Sequence, residues 1–238
     1  MTKIEGSTVL VTGAGGGLGR QWVNQFLSRG AAKVYATTRS RLEWEDARVV
    51  PLRLDVTNED SIAAAAEYAS DTNIVVNNAG IPLYGPMSTV STNMLRDVFE
   101  VNFFGAVAVA RHFVPHLGAN GGGAIVNVLS VLSWYARSGG YSAAKAALWS
   151  ATNSLRLELI PQGTHVLALH MGYVDTPMTA GIEAPKSSAE EIVRVALDGL
   201  ESGENEVLAD ATARKVRESL SAPLSALYPE LGGKAGAL

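Results

Sequence analysis

Tyr141-Ser142-Ala143-Ala144-Lys145 sets a phenol and an ammonium at i and i+4, one above the other on a single helix face. A phenol of pKa about 10 exchanges protons poorly at neutral pH, but a neighbouring cation favours its ionised form and moves it toward the working range. That spacing alone describes a surface pair or a snorkelling lysine equally well. The neighbours point to chemistry. Upstream, Ile125-Val126-Asn127-Val128-Leu129-Ser130 reads as a buried strand ending in a hydroxyl, and an earlier apolar run leads into Asn77-Asn78-Ala79-Gly80. Ligands of open α/β sheets bind at such C-terminal strand ends.

A second constellation opens the chain. Thr12-Gly13-Ala14-Gly15-Gly16-Gly17-Leu18-Gly19 follows the first apolar run and precedes a helical stretch. Glycines there let the backbone turn sharply and approach a ligand, while free N–H groups and the positive helix end attract a pyrophosphate. A glycine-rich stretch by itself is also just a flexible turn; its place between strand and helix is what points to a dinucleotide. About 20 residues on, where an acidic side chain would meet a free ribose 2′-hydroxyl, the chain reads Tyr35-Ala36-Thr37-Thr38-Arg39-Ser40-Arg41. No carboxylate repels a 2′-phosphate, and Arg39, helped by Ser40 or Arg41, has the charged fork to bind one, so NADP(H) is favoured over NAD(H). The alternative is that Arg39 and Arg41 are ordinary surface charges.

The elements that must position these groups alternate regularly. Val- and Ile-rich runs at 8–12, 33–37, 49–54, 74–76, 124–128, 166–169 and 206–208 are separated by helical-period segments at 17–29, 60–68, 92–117, 141–159 and 189–201. Strands apolar on both faces belong to a parallel sheet covered on both sides, so the expected fold is a Rossmann-type, doubly wound α/β sheet of about seven strands. Ser188 with Glu191 forms a capping box for the last helix. With no repeat, charge block or Pro-rich linker, a single domain is expected across 1–238, with a mobile Gly-rich tail at 232–238.

Composition narrows the function classes. The 238 residues are 47% hydrophobic and 18% charged, which suits a large buried core rather than a disordered chain. Nineteen Lys and Arg against 23 Asp and Glu leave a net charge of −4, so no positive surplus exists for nucleic acid. The lack of cysteine excludes disulfides, thiolate nucleophiles and Cys-ligated zinc. His112, His116, His165 and His170 show no carboxylate-supported pattern, and no metal is expected. No apolar run reaches the roughly 20 residues that span a bilayer and the N-terminus has no signal-peptide core, so a cytoplasmic protein without membrane attachment is expected.

Taken in order, the motifs resemble those of the short-chain dehydrogenase/reductase family over almost the whole chain. They are Thr12 to Gly19, Asp55-Val56, Asn77-Asn78-Ala79-Gly80, Asn102, Ser130, the Tyr141/Lys145 pair and Gly172-Tyr173-Val174-Asp175-Thr176-Pro177. The resemblance implies an NAD(P)-dependent enzyme interconverting a carbonyl and a secondary alcohol. It makes Tyr141 the general acid/base, Lys145 the residue that binds the nicotinamide ribose and lowers the tyrosine pKa, and Ser130 the donor to the substrate oxygen. Asn102 would hold a water that links Lys145 to solvent; a helix amide bonding only its own backbone is the alternative. Gly13, Gly17, Leu18 and Gly19 would surround the pyrophosphate. Asp55 and Val56 would meet the adenine, and Asn78, Ala79 and Gly80 the adenosine side. Val174 and Thr176 would meet the carboxamide. Asp55 as a helix cap remains open.

Two departures stand out. Ser130 and Tyr141 are eleven positions apart, a shorter loop than the family usually has, and the family's Pro-Gly after the sixth strand reads Met171-Gly172, preceded by His170. Ser133 is a weaker rival for the hydroxyl role. The substrate wall is expected from Tyr84, Trp134, Tyr135 and 178–186, without a cluster of cations, which suits a small or medium, mostly apolar substrate; Trp134 and Tyr135 at a subunit interface is the competing view. Small residues on the helices around Asn102 and Tyr141, among them Ala106, Ala110, Ala144 and Ala147, with the family's usual assembly, imply a homodimer or homotetramer. A catalytically silent NADP(H)-binding sensor or scaffold is the alternative from another class, and epimerisation or dehydration a third.

Overall fold

The computed structural model describes residues 2–40 and 43–231, so Arg41 and the expected tail at 232–238 lie outside the described residues. The chain builds β1 (Thr8–Val11), α1 (Leu18–Ser28), β2 (Lys33–Thr38), β3 (Val49–Arg53), α2 (Glu59–Tyr68) and β4 (Ile74–Asn77). It continues through α3 (Thr92–Phe99), α4 (Ala106–Ala119), β5 (Gly123–Val128), α5 (Gly139–Glu158) and β6 (Thr164–His170). The last elements are α6 (Ala189–Ser202), β7 (Glu206–Leu208), α7 (Ala211–Ser219) and α8 (Leu224–Leu227).

The strands form one sheet in the order β3-β2-β1-β4-β5-β6-β7, and every pairing is parallel. The chain winds outward in one direction from β1 and then returns to place β4 on its other side. The loops after β1 and β4 therefore diverge to opposite faces and leave a crevice at their C-terminal ends.

Period-two alternation splits the core. Val9 and Val11 face one layer with Trp22, Val23 and Phe26 of α1 and Ile192, Val193 and Leu197 of α6. Leu10 and Val75 face the other, with Ile62 of α2 and Val109, Phe113 and Leu117 of α4. All the side chains on α1, α4 and α6 named here are fully buried. The layer of α4 and α5 is also tied by polar bonds. Asn77 Nδ2 donates to Asn127 Oδ1 at 2.9 Å and to the Ala106 carbonyl at 3.1 Å. Asn127 Nδ2 in turn donates to Thr152 Oγ1 at 2.9 Å. These buried side-chain bonds tie β4 and β5 to the helices on that face, α4 through the Ala106 carbonyl and α5 through Thr152.

Three expectations are corrected. The single helix at 92–117 is interrupted by a π-helical segment, Glu100–Gly105, between α3 and α4. Such widened turns favour functional positions, and Asn102 sits inside this one. The capping box is only half formed: Ser188 Oγ accepts from the Glu191 N–H at 3.1 Å, but the Glu191 carboxylate is taken by Arg194 at 2.7 Å. Of the small residues expected at a subunit surface, Ala106, Ala110 and Ala144 are buried in the chain's own core and belong to packing within the chain, whereas Ala147 is half-buried.

Candidate active site

A cavity of about 650 Å³ opens along the C-terminal ends of β1, β4, β5 and β6. Its floor at β1 is the glycine loop. Gly17 turns there with φ of 52°, in the left-handed region that favours glycine. Gly19 opens α1 so close beneath the loop that a Cβ on it would lie 2.1 Å from the Gly13 oxygen. The α1 N-terminus, with no side-chain cap of its own, thus presents free N–H groups to whatever anion enters.

The neighbouring strand braces this loop. Thr12 Oγ1 accepts from the N–H groups of Asn78 and Ala79 at 3.0 Å each. Asn78 Nδ2 donates to the carbonyls of Thr12 at 2.9 Å and Gly13 at 3.2 Å. Sequence reading missed Thr12 as a bracing group; its signal was a hydroxyl at the end of a buried strand.

Gly13, Gly17, Leu18, Gly19, Arg39, Asp55, Val56, Asn78, Ala79 and Gly80 all line the cavity toward β2 and β3, together with Thr38, Ser40 and Thr57. Arg39 is exposed at this end. Asp55 is not a helix cap. Its carboxylate accepts from Thr57 N at 3.0 Å and Thr57 Oγ1 at 2.8 Å, and these bonds hold its pKa below the usual carboxylate range. Asn58 caps α2 instead.

Ser130, Tyr141, Lys145, Val174 and Thr176 line the opposite half. Ser130 caps a one-turn 3-10 segment, Val131–Ser133, its Oγ accepting from Leu132 N at 3.1 Å. Ser133 is buried and does not line the cavity, so it is no rival. Lys145 is buried within α5 and donates to the Val128 carbonyl at 2.8 Å, with Nζ 5.7 Å from the centre of the Tyr141 ring. Burial lowers its pKa to about 8. Burial likewise pushes the Tyr141 phenol up, aided by Tyr84. The sequence-based expectation that the cation draws the phenol down is therefore reversed in this structure: the ammonium is committed to a carbonyl, and desolvation of the phenolate dominates.

Asn102 does not line the cavity. Its Oδ1 accepts from Ile81 N at 3.1 Å, and its Nδ2 donates to the carbonyls of Ile81 at 2.9 Å and Val98 at 3.0 Å. A Cβ on Gly80 would lie 2.7 Å from that Oδ1. The amide thus holds the chain after β4 in place from behind, combining a bond to its own helix with two across the fold.

The cavity wall matches the expected substrate wall at Tyr84 and within 178–186 and differs from it elsewhere. Leu83, Tyr84, Leu132, Tyr173, Met178 and Ile182 line it, and Tyr84 Oη donates to the Met178 carbonyl at 2.7 Å, bridging two loops. Trp134 and Tyr135 do not line it. Trp134 stacks on His170 at 3.8 Å, and Tyr135 stacks on Tyr228 at 5.4 Å, so both pack within the chain.

Behind Ser130 lies a polar cluster. Fully buried His170 donates from Nδ1 to the Ser130 carbonyl at 3.1 Å, and its Nε2 lies 3.5 Å from Glu206, which also meets Arg217 at 3.0 Å. His170 and then Arg217 hold the Glu206 pKa down at about 2. A carboxylate with a lowered native pKa stabilises the fold above its unfolded pKa of about 4.5, and that contribution disappears as pH falls through about 2. Glu206→Gln is therefore expected to lower Tm at pH 7, with the gap from wild type narrowing as pH falls below about 4.5, as measured by thermal melts across pH.

Residues 7–187 match the family model for short chain dehydrogenase. A cis-4-hydroxycyclohexanecarboxylate dehydrogenase of Sinomonas cyclohexanicum is 37% identical over 190 residues, 74% of this chain and 76% of that one. A 1-deoxy-11-beta-hydroxypentalenate dehydrogenase of Streptomyces exfoliatus is 32% identical over 229 residues, covering 86% and 83%. A short chain dehydrogenase from Burkholderia cenocepacia J2315, solved in complex with NADP, superposes with a TM-score of 0.90 at 38% identity, over 96% of this chain and 99% of that one. The chain belongs to the short-chain dehydrogenase/reductase family. It is an NAD(P)-dependent oxidoreductase acting between carbonyls and alcohols of small molecules. Among the described residues no helix is long and apolar enough to cross a membrane.

Proposed function

We propose that the protein is an NADP(H)-dependent reductase of a small or medium, mostly apolar ketone, with Tyr141 as the proton donor. What carries this reading is one continuous cavity that joins the glycine loop and Arg39 to Ser130 and Tyr141. The glycine loop fits a dinucleotide: a side chain on Gly19 would fill the approach to its backbone, as would one on Gly17, whose Cβ would come within 3.2 Å of Thr176.

In this reading Gly13, Gly17, Leu18 and Gly19 hold the pyrophosphate, and Asp55 and Val56 meet the adenine. Asn78, Ala79 and Gly80 flank the adenosine, and Val174 and Thr176 orient the carboxamide. The dinucleotide, when bound, supplies a hydride to the carbonyl carbon. Ser130 Oγ donates to the substrate oxygen as negative charge develops on it. Tyr141, kept protonated by burial, transfers its proton to that same oxygen, which completes the alcohol. Lys145 binds the nicotinamide ribose, and with a pKa near 8 it is mostly charged at neutral pH yet able to exchange a proton. Asn102 acts by position, fixing Ile81 on the cavity wall. In place of the water relay, this is the role its committed amide favours.

The NADP complex of the structural relative supports the cofactor choice, and the ring alcohols in the two relatives' names support the substrate chemistry. Arg39→Asp is expected to shift the NADP/NAD preference toward NAD by about tenfold or more, read as the ratio of kcat/KM values. An unchanged ratio would remove Arg39 from the specificity. For assembly, exposed Phe104 and Leu157 on the helices flanking the site favour a homodimer or homotetramer.

The direct test is a fluorescence titration with NADPH and NADH, followed by a panel of aldehydes and ketones while nicotinamide absorbance is monitored. Tighter NADPH binding with oxidation on some panel member is expected. NADPH bound but never consumed would favour the silent sensor, and no binding of either cofactor would overturn the reading.

A further inference from the structure

Arg137 stands between the cavity and the C-terminal segment. It lines the substrate half, while its guanidinium lies over the rings of Tyr135 at 4.9 Å and Tyr228 at 5.6 Å. Its two terminal nitrogens face the two carboxylate oxygens of Glu230, Nη1 to Oε1 at 2.7 Å and Nη2 to Oε2 at 2.9 Å. Tyr228 Oη accepts from Ala136 N at 2.8 Å, which fastens the same segment to the loop.

The charges around the cavity leave Arg137 a distinct position. Arg39 and Asp55 are at the adenosine end, and Lys145 is bonded to the Val128 carbonyl. Among the described lining residues, Arg137 is the remaining cation, in a cavity whose lining also includes Leu83, Leu132, Met178 and Ile182. We propose that Arg137 binds a carboxylate on the substrate, so that the substrate class is a mostly apolar oxo or hydroxy acid with a single carboxylate, and that Glu230 is its resident stand-in. This rests on the reductase reading for the reaction itself.

Three features support an exchange of partners. The arginine fork is already held in the two-point geometry that a carboxylate needs. The ion pair is solvent-exposed, with side chains 38% and 62% accessible, so water screens it and a second carboxylate can compete for the fork. The two partners are also anchored unequally. Arg137 is followed by Ser138, whose Oγ donates to the Leu83 carbonyl and whose N–H donates to Ser142, each at 3.1 Å. Glu230 sits in a one-turn segment, Pro229–Leu231, and its side chain is the more exposed of the pair, bonded among the described residues to Arg137. The glutamate is therefore the partner that moves.

The test uses the full chain saturated with NADP+, titrated calorimetrically with medium-sized alicyclic and linear carboxylates and with the primary amides of the same acids. Arg137→Gln and Glu230→Gln break the same ion pair, so a merely structural latch predicts that both move the acid-over-amide preference alike. A substrate anchor predicts opposite shifts. Arg137→Gln reduces the preference by about tenfold or more, and Glu230→Gln, by removing the internal competitor, increases it. Parallel shifts, equal binding of acids and amides by the wild type, or no binding of any acid would overturn the assignment. Failure of the reductase reading is recorded separately: protein that prefers acids but never consumes NADPH keeps the anchor and loses the reaction. Protein that reduces neutral ketones without preferring acids does the reverse.

Discussion

Tyr141→Phe is expected to lower kcat by about 10²- to 10⁴-fold while NADPH affinity stays within about twofold of wild type. The substitution removes one oxygen and leaves the ring, the α5 backbone and the Lys145 bond to the Val128 carbonyl in place. The fold and the cofactor cradle have no reason to change, so the loss isolates proton transfer. Because burial raises the phenol pKa, the tyrosine of the unliganded protein is protonated at neutral pH and ready to act as an acid. The reductive direction should accordingly hold its rate through neutral pH. Stopped-flow absorbance for turnover and a fluorescence titration for NADPH separate the two effects, and a variant that retained turnover within about tenfold would exclude Tyr141 as the proton donor.

Gly19→Ala is expected to weaken NADPH binding by about 100-fold or more, close to 2.7 kcal/mol. The added methyl would meet the Gly13 oxygen at 2.1 Å and the Ala14 Cα at 2.8 Å, both backbone atoms. The loop has little room to retreat, since a Cβ at Gly13 would itself come within 3.0 Å of the Ala79 Cα. Either α1 tilts away or the loop opens, and both outcomes misplace the N–H groups aimed at the pyrophosphate. Overpacking of this kind costs roughly 1–3 kcal/mol of stability as well, so a thermal melt beside the titration distinguishes a lost cradle from a lost fold. Affinity within about threefold of wild type would show that the loop tolerates a side chain there.

Much of this architecture was legible because its causes are local. The two-faced apolar runs and their spacing were enough for the parallel sheet, and the glycine loop, Ser130, Tyr141 and Lys145 were found from residue type and position. What escaped depends on contacts distant in sequence. No periodicity announces a π turn, so 92–117 read as one helix, and the partner that occupies Asn102, Ile81, lies 21 positions earlier. Trp134 and Tyr135 close after Ser130 look like substrate wall until His170 and Tyr228 are seen to claim them. Helix α7 was missed because its inward face offers only buried Ala213 and half-buried Val216, although Asp210, which accepts from Ala213 N, is an ordinary N-cap. The lowered phenol pKa was expected from spacing alone, and spacing carries no information on burial.

The π segment at Glu100–Gly105 works as a phase shifter in the helical rod. One residue more than an α turn requires is taken up there, which rotates all that follows by about 100° and advances it by about 1.5 Å. The first part of the rod is thereby indexed to the loop after β4, through Asn102 and Ile81, and the second to the sheet, through Val109 and Phe113. The number of residues from Thr92 to Ala119 is therefore fixed by two independent surfaces. A chain shorter by one would still be helical along its length, but it could satisfy only one of them.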